Sequence, residues 1–222
     1  MAKRGESVLD LIEVMDRLRS PGGCPWDARQ THQSLVEYLV EEAYETVEAI
    51  EGGDDSGLRE ELGDLLLQVV FHARIAQERG DKGWDVDDVA RGIVEKLIRR
   101  HPHVFADADA ATAEQVDANW HARAADGEGR ASVADGIPEH LPALLRASKV
   151  HSRSTSLGDA VPDLESLDAA VRLLDSVDGE EDLGELLLAV ASLARDRGWD
   201  AEAALRQSVR RRIISIREAE SQ

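Results

Sequence analysis

The sequence predicts an all-α chain: a helical bundle built from two related repeats, the second degenerate. Three observations predict it. Ala, Leu, Glu, Asp and Arg dominate while aromatics make up only 4%, a mix that favours helices over sheets. Apolar residues recur at helical spacing along most of the chain. The segment EELGDLLLQVVFHAR, Glu60 to Arg74, recurs as EDLGELLLAVASLAR, Glu181 to Arg195, and a Gly-Trp-Asp turn follows each, ending at Asp85 and at Asp200. Self-similarity with the same following turn and helix is the mark of a duplicated supersecondary unit.

Each element follows in order. Val8, Leu11, Ile12, Met15 and Leu18 give residues 7–19 a helical stripe, and Ser20, Pro21, Gly22 and Gly23 end it. After the loop CPWDARQT, Thr31 is positioned to cap a second helix running to about Ile50; Gly52 and Gly53 stop it. Asp54, Asp55 or Ser56 caps a third helix running to about Arg79. A fourth spans about Val86 to Arg100, limited by Pro102. Leu35, Leu39, Val47, Leu58, Leu62, Leu65 and Val69 are expected to bury between the second and third helices and their neighbours. Gly63 and its counterpart Gly184 fall mid-helix, where glycine costs ~1 kcal/mol relative to alanine, so close backbone packing is expected there.

Residues 106–139 differ: eight acids, two arginines and many alanines and glycines. Two readings fit: a solvated helix around Trp120 followed by a mobile linker, or plain disorder anchored by Trp120. Helical patterns resume near Leu141, Leu164, Leu183 and Ala201. The expected organisation is a catalytic helical domain over 1–125, a linker over 126–137 and the second repeat over 138–222.

The formal net charge of the 222 residues is −19. Such a surface repels nucleic-acid phosphates and anionic lipid, so neither is an expected partner. An anionic substrate would need a metal ion or a local basic patch. Cys24 is the single cysteine, which excludes an intramolecular disulfide and a cysteine-based zinc site. The amphipathic N-terminus lacks the apolar core of a signal peptide, and no apolar run reaches membrane-spanning length. A cytoplasmic location is expected.

The chemistry concentrates between Glu41 and Asp64. Glu41, Glu42 and Glu45 occupy a narrow arc of the second helix, and Glu61 and Asp64 one face of the third. A short loop makes the two helices an antiparallel hairpin, so the acidic faces can meet. Converging carboxylates repel one another unless protonated, paired with cations or bound to metal. Oxygen-only ligands favour Mg²⁺ or Mn²⁺, and Mg²⁺ shares itself readily with phosphates. A solvated acidic face is the rival reading, and it suits Glu37 and Glu48. Lys96, Arg99 and Arg100 lie at helical spacing on the fourth helix. They either grip phosphate oxygens or complement a helix C-terminus.

The pattern Glu41-Glu42-x-x-Glu45, fifteen intervening residues, then Glu61-x-x-Asp64 resembles the signature of MazG-type nucleoside triphosphate pyrophosphohydrolases. GCPWDARQT (Gly23 to Thr31), ELGDLLLQVVFHA (Glu61 to Ala73), KLIRRHPHVF (Lys96 to Phe105) and IPEHLPALLRASKV (Ile137 to Val150) strengthen the resemblance. It implies an all-α enzyme that hydrolyses nucleoside or deoxynucleoside triphosphates to the monophosphate and pyrophosphate, with Mg²⁺, as a homodimer. By matching position it implies Glu42, Glu45, Glu61 and Asp64 as metal ligands, and Glu41 as a further catalytic carboxylate that orients water or a second metal. Lys96 with Arg99 or Arg100 would contact phosphate. Trp26 would line the base or sugar pocket, or simply pack.

The second copy departs from the pattern. Asp182 and Glu185 swap the acids of ExxD, the preceding LESLDAAVRLLDSV lacks EExxE, and Arg210, Arg211 and Arg212 keep a basic cluster. Catalysis is expected in the first copy, with the second supporting packing or dimerisation. The alternative is a non-catalytic metal- or nucleotide-binding regulator on the same bundle.

Overall fold

A computed structural model describes residues 4–106, 134–154 and 177–220, with Thr112, Ser132 and Leu174 as isolated positions. The chain divides into two compact units, Met1–Val116 and Asp117–Gln222. Unit 1 contains α1 (Glu6–Arg19), a 3-10 turn (Asp27–Arg29), α2 (Val36–Gly52), α3 (Asp55–Gln77), a second 3-10 turn (Gly80–Lys82), α4 (Val86–Arg100) and the single-turn α5 (Pro102–Phe105). Unit 2 contains α6 (Ala143–Ser154), α7 (Glu180–Asp196) and α8 (Ala201–Glu220). Every regular element among the described residues is helical, as the composition predicts.

The α2–α3 hairpin is set by two residues. Gly53 takes a left-handed conformation, φ 69°, which costs glycine nothing. The Asp54 carboxylate then accepts from the Ser56 and Gly57 N–H groups at 3.1 and 3.0 Å, capping α3 at once. Asp85 caps α4 through a reciprocal box with Asp88. The core of unit 1 is Met15, Leu35, Val70, Phe71 and Ile75, edged by Leu11, Ile12, Leu18, Leu67 and Val86. Ion pairs bind α1 across α3: Asp16 to Arg74 at 2.7 Å, and Arg19 to Glu78 at 2.8 Å.

Several sequence expectations need correction. Thr31 does not cap α2, which begins at Val36. Thr31 and Ser34 instead satisfy each other's backbone N–H groups at 3.1 and 2.9 Å, making a separate turn that delivers Leu35 to the core. Leu39, Leu62 and Val69 are exposed; Leu62 and Val69 lie well round α3 from the face that carries Glu61, Asp64 and Phe71. Gly63 and Gly184 are not close approaches among the described residues: a Cβ at either would meet nothing there within 4 Å. Pro102 ends α4 but also starts α5, at the first-turn position where proline's missing N–H is harmless. Trp120, residues 126–131 and 133 of the 126–137 linker, and the helix expected near Leu164 lie outside the described residues.

In unit 2, α7 carries the second copy of the repeated segment. Its burial follows α3 at four aligned positions: Gln68, Val70, Phe71 and Ala73 are buried in one, Ala189, Ala191, Ser192 and Ala194 in the other. Leu62, Leu66 and Val69 are exposed, and so are Leu183, Leu187 and Val190. α6 is tied to α7 by His151, whose Nε2 lies 2.8 Å from Asp196 Oδ1.

Candidate metal centre

The hairpin register decides which side chains meet. Two antiparallel helices joined at a tight turn bring together residues equidistant from it. Counting from Gly53, Glu45 and Glu61 are each eight residues away, Glu42 and Asp64 eleven, and Leu35 and Phe71 eighteen. The last pair is in the core, which fixes the register independently of the acids. On each side of the turn the three residues share one face, at spacings of three and seven, with Leu35 immediately before α2.

Glu42, Glu45 and Glu61 each offer a carboxylate oxygen, and the three oxygens lie within 4.8 Å of one another. Glu42 and Glu61 are half-buried and Glu45 is exposed. The Glu42 carboxyl is pushed above the ordinary carboxylate range, first by burial and then by the charges of Asp64, Glu45, Glu61 and Glu41. Glu61 is raised for the same reasons, by burial and then by Glu45, Asp64 and Glu60. Asp64 thus acts on both, beside the three converging oxygens. Every charge that shifts Glu42 or Glu61 is another carboxylate. No lysine or arginine among the described residues is their counterion. A donor set of carboxylate oxygens with unrelieved repulsion suits a hard divalent cation.

The other candidate residues take separate stations. Glu41 is exposed on α2 and is the weakest of the four charges acting on Glu42. Lys96, Arg99 and Arg100 lie in the last turns of α4, which packs on α3; Lys96 and Arg100 are half-buried and Arg99 exposed. Trp26 is 45% exposed and meets Tyr38 of α2 edge to face at 6.0 Å. Its loop is held from beneath by Arg19, which donates to the carbonyls of Asp27 and Gln30.

Comparison with known proteins identifies the family. A profile of the MazG nucleotide pyrophosphohydrolase domain matches residues 30–105, the stretch containing all five carboxylates and the basic cluster. The nucleoside triphosphate pyrophosphohydrolase/pyrophosphatase MazG of Thermotoga maritima is 39% identical, over 99% of this chain and 88% of that one. The nucleoside triphosphate pyrophosphohydrolase of Escherichia coli K12 is 41% identical, over 95% and 86%. The chain belongs to the MazG family. An uncharacterised 26.1 kDa protein of Streptomyces cacaoi is 50% identical, over 86% of this chain and 81% of that one.

Within this MazG-family chain the two copies have diverged at the acids. In unit 2 the Asp182 carboxylate accepts from the Asp178 N–H at 3.0 Å, just ahead of the start of α7. Sequence reasoning passed over Gln68 and His72, which continue the Glu61–Asp64 stripe along α3. His72 Nδ1 lies 2.7 Å from His32 Nδ1, the rings stacked at 5.0 Å, and His32 stacks in turn on Trp84. Burial, and then the neighbouring His32, holds the His72 pKa below the usual histidine value. The available signal was the repeat: Gln68 and His72 align with Ala189 and Leu193.

Proposed function

We propose that the chain hydrolyses nucleoside and deoxynucleoside triphosphates to the monophosphate and pyrophosphate, using Mg²⁺ held by Glu42, Glu45, Glu61 and Asp64. The observation that carries this is the convergence of three carboxylate oxygens from α2 and α3 within 4.8 Å in a MazG-family chain. A bound Mg²⁺, for which Mn²⁺ could substitute, would neutralise triphosphate charge and lower the pKa of a coordinated water. The protein's own groups supply the rest. Glu41, exposed next to Glu42, accepts the proton of the attacking water. Lys96 with Arg99 or Arg100 stabilises charge on the departing pyrophosphate. Trp26 and Tyr38 border the nucleoside. The carboxylates' raised pKa values support the cation, since besides burial they carry a mutual repulsion that nothing in the described protein relieves.

The assembly proposed is a homodimer. Its support is the apolar surface left open on unit 1, where Leu62, Leu66 and Val69 of α3 and Ile93, Val94, Leu97 and Ile98 of α4 are all exposed. No helix among the described residues is long and apolar enough to cross a membrane.

The deciding experiment is a pyrophosphate-release screen over the common and modified triphosphates, with Mg²⁺ and with chelator. Mg²⁺-dependent release of equimolar monophosphate and pyrophosphate is expected. Release of orthophosphate alone, or none, would overturn the reaction assigned.

A further inference from the structure

We propose that Gln68 is a specificity-determining residue: its buried side-chain oxygen accepts a hydrogen bond from an N–H or O–H donor on the nucleoside of the substrate. This rests on the nucleotide reading above and adds to it a residue for the part of the substrate that the carboxylates do not touch.

The first ground is an unmet requirement. Gln68 is only 5% exposed, and its Oε1 is buried without a hydrogen-bond partner. A buried polar atom left unpaired is costly and rare in folded proteins. Such an atom points to a partner that arrives from outside the chain.

The second ground is an internal control. The aligned residue on α7 is Ala189, also buried, in a helix that keeps the leucines, the arginine and the Gly-Trp-Asp turn. The shared scaffold therefore does not require an amide at this position. Glu61, Asp64, Gln68 and His72 form one stripe on α3, and the aligned residues of α7 are Asp182, Glu185, Ala189 and Leu193. Gln68 departs from the second copy together with the candidate metal ligands, as expected of a residue that shares their task.

The third ground is position. Gln68 is four residues beyond Asp64, about 6 Å along the helix axis, roughly the span of a pentose ring. Counting from Gly53, Gln68 and Tyr38 are each fifteen residues away, so the register that pairs Glu42 with Asp64 sets Gln68 opposite Tyr38. Tyr38 is itself in contact with the half-exposed Trp26. With the triphosphate at the carboxylates, the nucleoside extends one helical turn toward this group. The aromatic edges offer contact area and Gln68 offers a directional acceptor.

The test uses the full chain and Gln68→Ala, the residue found in the second copy. Titration calorimetry in Mg²⁺ compares an α,β-methylene nucleoside triphosphate with inorganic tripolyphosphate. The expected result is about tenfold weaker binding of the nucleotide analogue, unchanged binding of tripolyphosphate and an unchanged or higher melting temperature. Repeating the titration with a 2′-deoxy analogue, a 3′-deoxy analogue and a base lacking its exocyclic amine identifies the donor: the gap between wild type and variant closes for the analogue without it. Equal affinity of both proteins for the nucleotide analogue overturns the proposal while leaving the pyrophosphohydrolase reading intact. So does an equal loss for both ligands, which would assign Gln68 to the phosphate end or to the scaffold. Wild-type protein that binds neither ligand overturns the nucleotide reading, and this inference with it.

Discussion

Removing the Arg19 guanidinium is expected to destabilise unit 1 and to loosen the loop that carries Trp26. Arg19 forks Glu78 with Nε at 2.8 Å and Nη2 at 2.9 Å, and Nη1 donates to the carbonyls of Asp27 and Gln30. Its guanidinium also lies over the Phe71 ring at 5.4 Å. The Arg19 side chain is 3% exposed and that of Glu78 39%. Breaking a buried pair by deleting one partner costs roughly 3–5 kcal/mol, mostly because the survivor is left charged and dry. Glu78 is not left dry, and it keeps Arg74 at 3.1 Å, so the lower end applies. Arg19→Ala should therefore cost roughly 3 kcal/mol, a fall of at least about 10 °C in the melting temperature of a unit this size. Glu78→Gln removes the fork's charge but not the bonds to the loop, and should cost about half as much. Urea unfolding followed by tryptophan fluorescence measures both. A loss under about 0.5 kcal/mol for Arg19→Ala, the range of an ordinary surface substitution, would refute the reasoning, as would equal costs for the two variants. The pH dependence gives a second check. Glu78 is held below the ordinary carboxylate range, first by the Arg19 hydrogen bond and against the opposing effect of burial. A lowered acid contributes stability that is fully present above its unfolded pKa, about 4.3, and is lost as pH falls through the folded value. Arg19→Ala should flatten that acid limb.

Four further outcomes follow from the same geometry. Asp64→Asn should abolish pyrophosphate release while raising the melting temperature of metal-free protein, because Asp64 is the largest charge raising Glu42; a substantially active variant would sink the metal-ligand assignment. In metal-free wild type, Glu42 and Glu61 are raised acids, so their contribution is favourable below the unfolded carboxylate pKa and lost as pH rises through the folded values. Mg²⁺ at a hundred times its dissociation constant should then restore about 2.7 kcal/mol at neutral pH, and a thermal shift unchanged by Mg²⁺ would count against the site. His72→Leu, the residue at the matching position of α7, should stabilise the fold by about 1 kcal/mol by removing a buried, unpartnered Nε2. The gain should be larger at pH 5.5 than at pH 8: a histidine with a lowered pKa costs stability as pH falls below its unfolded value of about 6.5. Equal melting temperatures at both pH values would contradict it. Gly23→Ala should disturb the Trp26 loop, since a Cβ there would run into the carbonyls of Leu18 and Arg17; raised KM with little change in kcat is the expected reading, and unchanged kinetics the contrary one.

The helices were legible because their ends are local chemistry. Gly53 and Asp54 between two apolar stripes specify a hairpin, and Asp85 with Asp88 specifies the start of α4. Most of the failures were tertiary. Leu62 and Val69 look like core in the sequence, and only the register of α3 against α2 turns them outward. Thr31 has the chemistry of a helix cap, but Ser34 competes for it three residues later. Arg19 reads as one more basic residue ending a helix. Its partner is 59 positions away, a separation over which pattern reasoning has no purchase.

For the site, spacing identifies acids that share a helix face but not which acids meet across the hairpin. The turn supplies the missing quantity. Once Gly53 is fixed as its centre and Leu35 and Phe71 are known to share a core, the pairings of Glu45 with Glu61 and Glu42 with Asp64 follow by counting. The same counting identifies what the acids alone concealed. If the carboxylates merely decorated a solvated face, the stripe beyond Asp64 would revert to the apolar residues that α7 carries there, Ala189 and Leu193. It carries a buried amide and a half-buried imidazole instead, each with a buried atom lacking a partner. Two such costs, on the helix face that bears the acids and absent from the copy whose acids have diverged, are difficult to attribute to stability. On the proposed nucleotide reading, they mark the direction in which the nucleoside extends from the carboxylates.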